Sequence, residues 1–225
     1  MISAIKESVV NLLKEKDIVS KIGDQRYSHM KYPKFLSLMD FYVDRYEIKD
    51  FGHLMVMHTK TKMGMELLTM SFMPDGVCLP YLLIDTMSMK KKRCAFVEYY
   101  GCGYEGLKED RLEEVFEQHK KLADYEEKPG WYISERRPYS LIKTGEKMEL
   151  CDMVYDGVTA YIESIREAKR DEDYNNHLRD FRKRMIEEGN PSSKTLEMLL
   201  KKDGAITFMK EIVMPVKEER KSDRS

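Results

Sequence analysis

The sequence predicts an α+β fold built on an antiparallel sheet that is covered on both faces at its middle. Three observations carry this. Strand-like runs follow one another at short spacing between Phe41 and Cys102, and short links force antiparallel neighbours. After Gly106 the pattern turns helical and stays so apart from one short run, and strands first with helices after is an α+β arrangement. Within the run from Leu79 to Met89, both alternating faces are apolar around Leu82–Ile84, as in a strand buried on two sides.

Residues 2–16 place Ile5, Val9, Leu12 and Leu13 at helical spacing, with Ser3 as the expected N-cap. A polar stretch containing Tyr27, His29, Tyr32 and Pro33 follows. Strands are then expected over Phe41–Phe51, His53–Lys60 and Met65–Met73, with turns at Asp50-Phe-Gly52 and Lys62-Met-Gly64. Two more, within Met73–Cys102, flank the basic tip Lys90-Lys-Lys-Arg93. A helix is expected over Leu107–Tyr125, with Leu112, Val115, Phe116, His119 and Leu122 along one face. Lys128-Pro-Gly-Trp131 ends it, and Pro138–Thr144 offers one last strand. Lys147–Ala168, Asp173–Glu188 and Lys194–Val213 read as three further helices. The whole reads as one domain over residues 1–215, followed by a charged, disordered tail at 216–225.

The chain has 225 residues, 42% of them hydrophobic and 35% charged, enough for a substantial core. A net charge of −1 argues against bulk nucleic-acid binding. No apolar run approaches the roughly 18 residues of a membrane span. With Lys6 and Glu7 near its start the chain shows no export signal. Cys78, Cys94, Cys102 and Cys151 form no Cys-x-x-Cys pair, so reduced thiols in a cytoplasmic protein are expected. The 17 methionines suit plain core filling first, and a pocket for a large flat ligand second.

Asp85 lies between Leu83 and Met87 in the doubly apolar strand. A carboxylate there needs a partner or keeps its proton, so it is either a satisfied structural residue or a functional acid. Gly101-Cys-Gly-Tyr-Glu-Gly106 matches G-x-G-x-x-G between a strand and a helix. The dinucleotide fingerprint needs a parallel βαβ unit, however, and this strand ends an antiparallel series. A glycine-rich connection is therefore expected. The five histidines show no metal-ligand spacing, and His53 and His58 fall on opposite faces of one strand. Lys90–Arg93 reads as a solvated hairpin tip, with steering of an acidic partner as the functional alternative.

Two segments together resemble the ferredoxin-dependent bilin reductases and the related red chlorophyll catabolite reductases. The first is Leu68-Thr-Met-Ser-Phe-Met-Pro74, then Leu79-Pro80, a short apolar run and Asp85. The second is Ser193-Lys-Thr195, then Leu199, Gly204, Phe208 and Ile212-Val-Met-Pro215. Between them, Pro129-Gly-Trp-Tyr-Ile-Ser134 is similar to a Trp-containing segment of the family. The resemblance covers about residues 60–215. It implies a three-layer α/β/α sandwich, a pocket between sheet and C-terminal helices, and reduction of an open-chain tetrapyrrole. Electrons would come from ferredoxin or a similar small acidic donor, with no bound flavin or metal. Asp85 matches the family's proton-donating Asp, and Lys194 a lysine near the substrate propionates. The chain departs from the family at Thr69, where some members have a catalytic His, and at Ser193, where many have Asp. Met57 stands near the position of a Glu in some members.

Glu98, in the strand after Asp85, is the best substitute acid. If the hairpin turns on Lys91-Lys92, Asp85 lies directly opposite Glu98, and one of two carboxylates that close keeps its proton. Lys194→Ala is expected to weaken ligand binding by about 1–3 kcal/mol. A non-catalytic tetrapyrrole carrier or sensor on the same fold is the alternative, favoured by Thr69 and Ser193. A nicotinamide or flavin reductase rests on Gly101–Gly106 alone.

Overall fold

The computed structural model describes residues 1–23, 26–33, 36–190 and 192–216. Of the expected tail, Val216 is described and buried, and 217–225 lie outside the described residues.

Helix α1 (Ile2–Glu15) opens the chain. Its N-cap is Met1, with Ser3 already in the first turn, which corrects the expected cap. The earlier start brings Ile2 into line with Ile5, Val9 and Leu12, all of them buried. Strands β1 (Val19–Ile22) and β2 (His29–Tyr32) both pair with β3 (Met39–Ile48). They are short, with only two apolar or aromatic residues each, and cross-strand bonding to β3 defines them, so no periodicity announces them. The five-strand series continues through β4 (Gly52–Thr61), β5 (Met65–Pro74), β6 (Tyr81–Met89) and β7 (Lys92–Tyr100).

Helix α2 (Asp110–His119) is shorter than expected, because Ala123–Asp124 forms β8 beside β9 (Leu141–Thr144). A 3-10 turn spans Trp131–Glu135 between β8 and β9. Helices α3 (Lys147–Ser164), α4 (Tyr174–Glu187) and α5 (Ser193–Phe208) follow, and a π-helical turn at Met209–Val213 prolongs α5. The sheet runs β1-β3-β4-β5-β6-β7-β9-β8, with β2 also on β3, and every pairing is antiparallel.

Alternation sorts the sheet into two faces. Val56, Met70, Phe72, Leu82, Ile84 and Val97 point toward α1, α2 and α3, in a core that includes Leu13, Leu112 and Val158. Phe41, Met55, Met57, Tyr81 and Tyr100 point the other way and join Phe181, Leu196, Phe208 and Ile212 from α4, α5 and the π turn. The architecture is thus the expected α+β fold in three layers, with Leu82–Ile84 at its centre.

Gly157 marks the tightest approach of α3 to the sheet, since a Cβ there would stand 3.1 Å from Val97 Cγ1 and 3.2 Å from the Tyr99 hydroxyl. The Gly101–Gly106 segment is a loop in which Cys102, Gly103 and Gly106 all take positive φ. Gly101 leaves room for the Arg137 side chain, which pairs with Glu109 at 2.7 Å beside the start of α2. Among the described residues no parallel βαβ unit surrounds the segment, so the run of glycines shapes a strand-to-helix connection.

The register of the central hairpin differs from expectation. The chain reverses at Lys90-Lys91, with Lys90 at φ +56° and Met89 opposite Lys92. Asp85 therefore lies opposite Phe96, and Glu98 lies opposite Leu83. The shift is two residues. A one-residue slip would have sent Glu98 to the other face, whereas two keep both acids on the same face as diagonal neighbours.

Candidate active site

A cavity of about 360 Å³ lies between the sheet and the layer of α4 and α5. Its floor is the same alternating face on four strands: Met55 and Met57 on β4, Leu67 and Thr69 on β5, Leu83, Asp85 and Met87 on β6, Phe96, Glu98 and Tyr100 on β7. Its roof is Met185 of α4 with Leu196, Phe208, Met209 and Val213. Asn190, Ser192 and Thr195 complete the wall at the start of α5, and Tyr125, Glu127 and Arg136 complete it beside β7. The methionines are more than core filler, since seven of them, Met39, Met55, Met57, Met65, Met87, Met185 and Met209, line the cavity. Such side chains adapt to a flat ligand.

The roof is tied to the floor by hydrogen bonds. Ser71 donates to the Val213 carbonyl at 2.6 Å, so its oxygen accepts from the Tyr81 hydroxyl at 3.0 Å. Tyr100 on the floor packs against Phe181 of α4, with ring centroids 5.1 Å apart.

Asp85 and Thr69 are direct cross-strand partners, and the Thr69 hydroxyl donates to Asp85 Oδ1 at 2.5 Å. Burial pushes the Asp85 carboxyl up to about 6, against the Thr69 hydrogen bond and the field of Arg136. Glu98 is 3% exposed. It accepts from the Tyr100 hydroxyl at 2.8 Å and pairs with Arg136 Nη2 at 2.6 Å. Burial again dominates and lifts Glu98 to about 7. Arg136 opposes the rise and the charge of Asp85 adds to it. Two acids with pKa values in the neutral range thus stand side by side in an apolar chamber. That arrangement can hold a proton at neutral pH and release it to a bound base.

Of the five residues singled out in the sequence, the fold brings Asp85, Glu98 and Thr69 into one site. Ser193 and Lys194 stand in the first turn of α5 and do not line the cavity. The Ser193 hydroxyl accepts from the Asn190 backbone N–H at 2.8 Å, and Lys194 is exposed. Their neighbours Ser192 and Thr195 are the residues on the wall. Arg136, Glu127 and Tyr100 escaped the sequence reading. The one available signal was that a buried Glu98 needs a cation, and nothing in the spacing says which of 39 Lys and Arg residues supplies it.

The raised values have a consequence for stability. A carboxyl whose pKa is higher in the folded than in the unfolded chain binds protons more tightly when folded. Its contribution is present below about pH 4 and is lost as pH rises through 6 to 7. The loss is on the order of 3 kcal/mol at most for each group. Urea unfolding of the ligand-free protein should show stability falling between about pH 4 and pH 7, and falling less in Asp85→Asn. Equal pH dependence of the two proteins would mean that Asp85 ionises freely.

No protein-family model and no curated protein matches the chain. Its fold is similar to that in the crystal structure of phytochromobilin synthase from tomato in complex with biliverdin. The TM-score is 0.76 at 13% sequence identity, over 92% of this chain and 82% of that one. Among the described residues, no helix is long and apolar enough to cross a membrane.

Proposed function

We propose that this protein binds an open-chain tetrapyrrole, or a similar flat conjugated anion, in the cavity and reduces it. The observation that carries the reading is the pair Asp85 and Glu98 on the floor of a methionine-rich chamber, in a fold shared with a protein solved with biliverdin bound. Its volume lies within the range of small-molecule sites, toward the small end.

Reduction of one double bond takes two electrons and two protons. Ferredoxin or a similar small acidic protein supplies the electrons one at a time. Each electron adds negative charge to the conjugated system and makes it more basic, so a poised acid beside it can protonate it. Asp85 is the first proton source and Glu98 the second. A ligand that fills the chamber expels water and raises both pKa values further, which keeps the protons in place until the electrons arrive. Thr69 holds the Asp85 carboxyl in orientation through its hydroxyl.

The test is absorbance. Biliverdin mixed with the protein should shift its visible bands, and addition of reduced ferredoxin should then convert the spectrum with time. A shift without conversion identifies a carrier or sensor. Thr69 in place of an ionisable residue and the engagement of Glu98 with Arg136 favour that second reading. No shift at all overturns both.

The ligand's propionates would extend toward the start of α5. Because Lys194 is exposed, it contributes at most about 1 kcal/mol there, below the 1–3 expected from sequence. Lys194→Ala should raise the Kd for biliverdin by no more than about fivefold, and the difference should vanish in high salt. An affinity unchanged at low salt removes Lys194 from the site.

A further inference from the structure

The carboxyl pair shares its chamber with a clasp. Arg136 leaves the chain just after the 3-10 turn and crosses to β7, with its side chain 8% exposed. Nη1 donates to Glu127 Oε2 at 2.6 Å and Nη2 to Glu127 Oε1 at 2.7 Å, a bidentate pair. Nη2 also contacts Glu98 Oε1 at 2.6 Å, and Nε lies 3.4 Å from the Tyr100 hydroxyl, which itself donates to Glu98. The guanidinium stands over the Tyr132 ring at 5.6 Å.

The groups that face the pair come from three directions. The sheet contributes Thr69, Tyr81, Cys94 and Tyr100. The wall of α4 and α5 contributes apolar and neutral polar side chains. The segment between β8 and β9 contributes Tyr125, Glu127, Tyr132 and Arg136. Among the described residues lining the cavity, Arg136 carries the sole positive charge, against the carboxyls of Asp85, Glu98 and Glu127. With every group ionised, three negative charges would face one positive charge, with Glu98 and Arg136 nearly fully buried. Such a site keeps protons, and the number kept depends on how much of the guanidinium's charge Glu127 neutralises.

We propose that Arg136 is a positioning residue which, held by Glu127, fixes Glu98 in place and sets how many protons the Asp85–Glu98 pair retains. This rests on the proposed function only in naming the pair as the proton source.

The alternative is a mechanical clasp that ties residues 127 and 136 to the sheet, and it predicts a different pattern. Cutting a clasp from either end has the same effect, whereas removing a cation and removing its counter-anion have opposite effects. The experiment is a pH titration of the carboxyl ¹³C signals in the ligand-free, full-length protein. In Arg136→Gln the pair should titrate at a pH higher by about one unit or more, and in Arg136→Lys by less. In Glu127→Gln, which retains an amide oxygen to accept from Arg136, the pair should titrate at a lower pH than in the unmodified protein. Shifts in the same direction for Arg136→Gln and Glu127→Gln overturn the proposal, as does no shift in either. If Arg136→Gln does not fold, Glu127→Gln decides alone. A downward shift supports the proposal, and an upward shift or none overturns it. Because no ligand is used, failure to turn over biliverdin would overturn the functional reading and leave this one standing.

Discussion

Asp85→Asn is expected to lower the rate of ferredoxin-driven biliverdin reduction by at least about 10²-fold while leaving the Kd for biliverdin within a few-fold of the unmodified protein. The asymmetry follows from the geometry. Asn occupies nearly the volume of Asp, and its amide oxygen still accepts from the Thr69 hydroxyl, so floor and cavity are preserved. What it lacks is a transferable proton near neutral pH. Glu98→Gln should slow reduction less, because Asp85 and its Thr69 partner remain in place as the first proton source. A visible-band titration gives the binding term, and stopped-flow absorbance with reduced ferredoxin gives the rate. Activity that survives Asp85→Asn would move the first proton transfer to Glu98 or to a group on the ligand, and would leave Asp85 with a binding role alone.

Phe72→Ala carries the largest expected cost in stability, about 3–5 kcal/mol. The Phe72 ring is fully buried on the face of β5 away from the cavity and meets Tyr161 of α3 edge-on, with centroids 5.8 Å apart. Tyr161 is anchored by a hydrogen bond from its hydroxyl to the Pro80 carbonyl at 2.6 Å and by an edge contact with Phe51. Since it cannot move in to fill the void, most of the cavity term survives. Denaturant unfolding at fixed pH measures the loss. The protein that remains folded should bind biliverdin with unchanged Kd, because the altered residue lies on the opposite face of the sheet. A change in affinity larger than a few-fold would show that the two helical layers communicate through β5.

Much of this fold could be read from side-chain pattern, and the reason is local. The strand series, helices α1 to α4 and the two-sided cover of Leu82–Ile84 all follow from where apolar residues recur, whereas the break at Lys201 in the last helix does not. That recurrence expresses which face is buried. The edge strands β1 and β2 could not be read in this way. Their side chains are half-buried or exposed, and their identity as strands comes from the bonding capacity of β3. Alternation also sets Asp85 opposite in direction to Leu82 and Ile84, but both faces are apolar there and the pattern alone does not say which of them holds the cavity.

The sequence by itself therefore pointed to an α+β fold whose middle strands are covered on both faces, and it singled out Asp85 and Glu98 as candidate acids. Only the tertiary structure decided the register of β6 on β7. That register depends on which two lysines of a run of three form the turn, and nearly identical side chains carry no preference that pattern can reveal. The tertiary structure also supplied Glu127 and Arg136. Both belong to the segment between β8 and β9, which shows no periodicity; Arg136 reaches Glu98, and Glu127 holds Arg136, only because that segment folds back across the end of β7. An ion pair between distant residues leaves no mark on either one's neighbours in the chain. The charge that tunes the acids was written in the sequence as one arginine among many, and packing selected it.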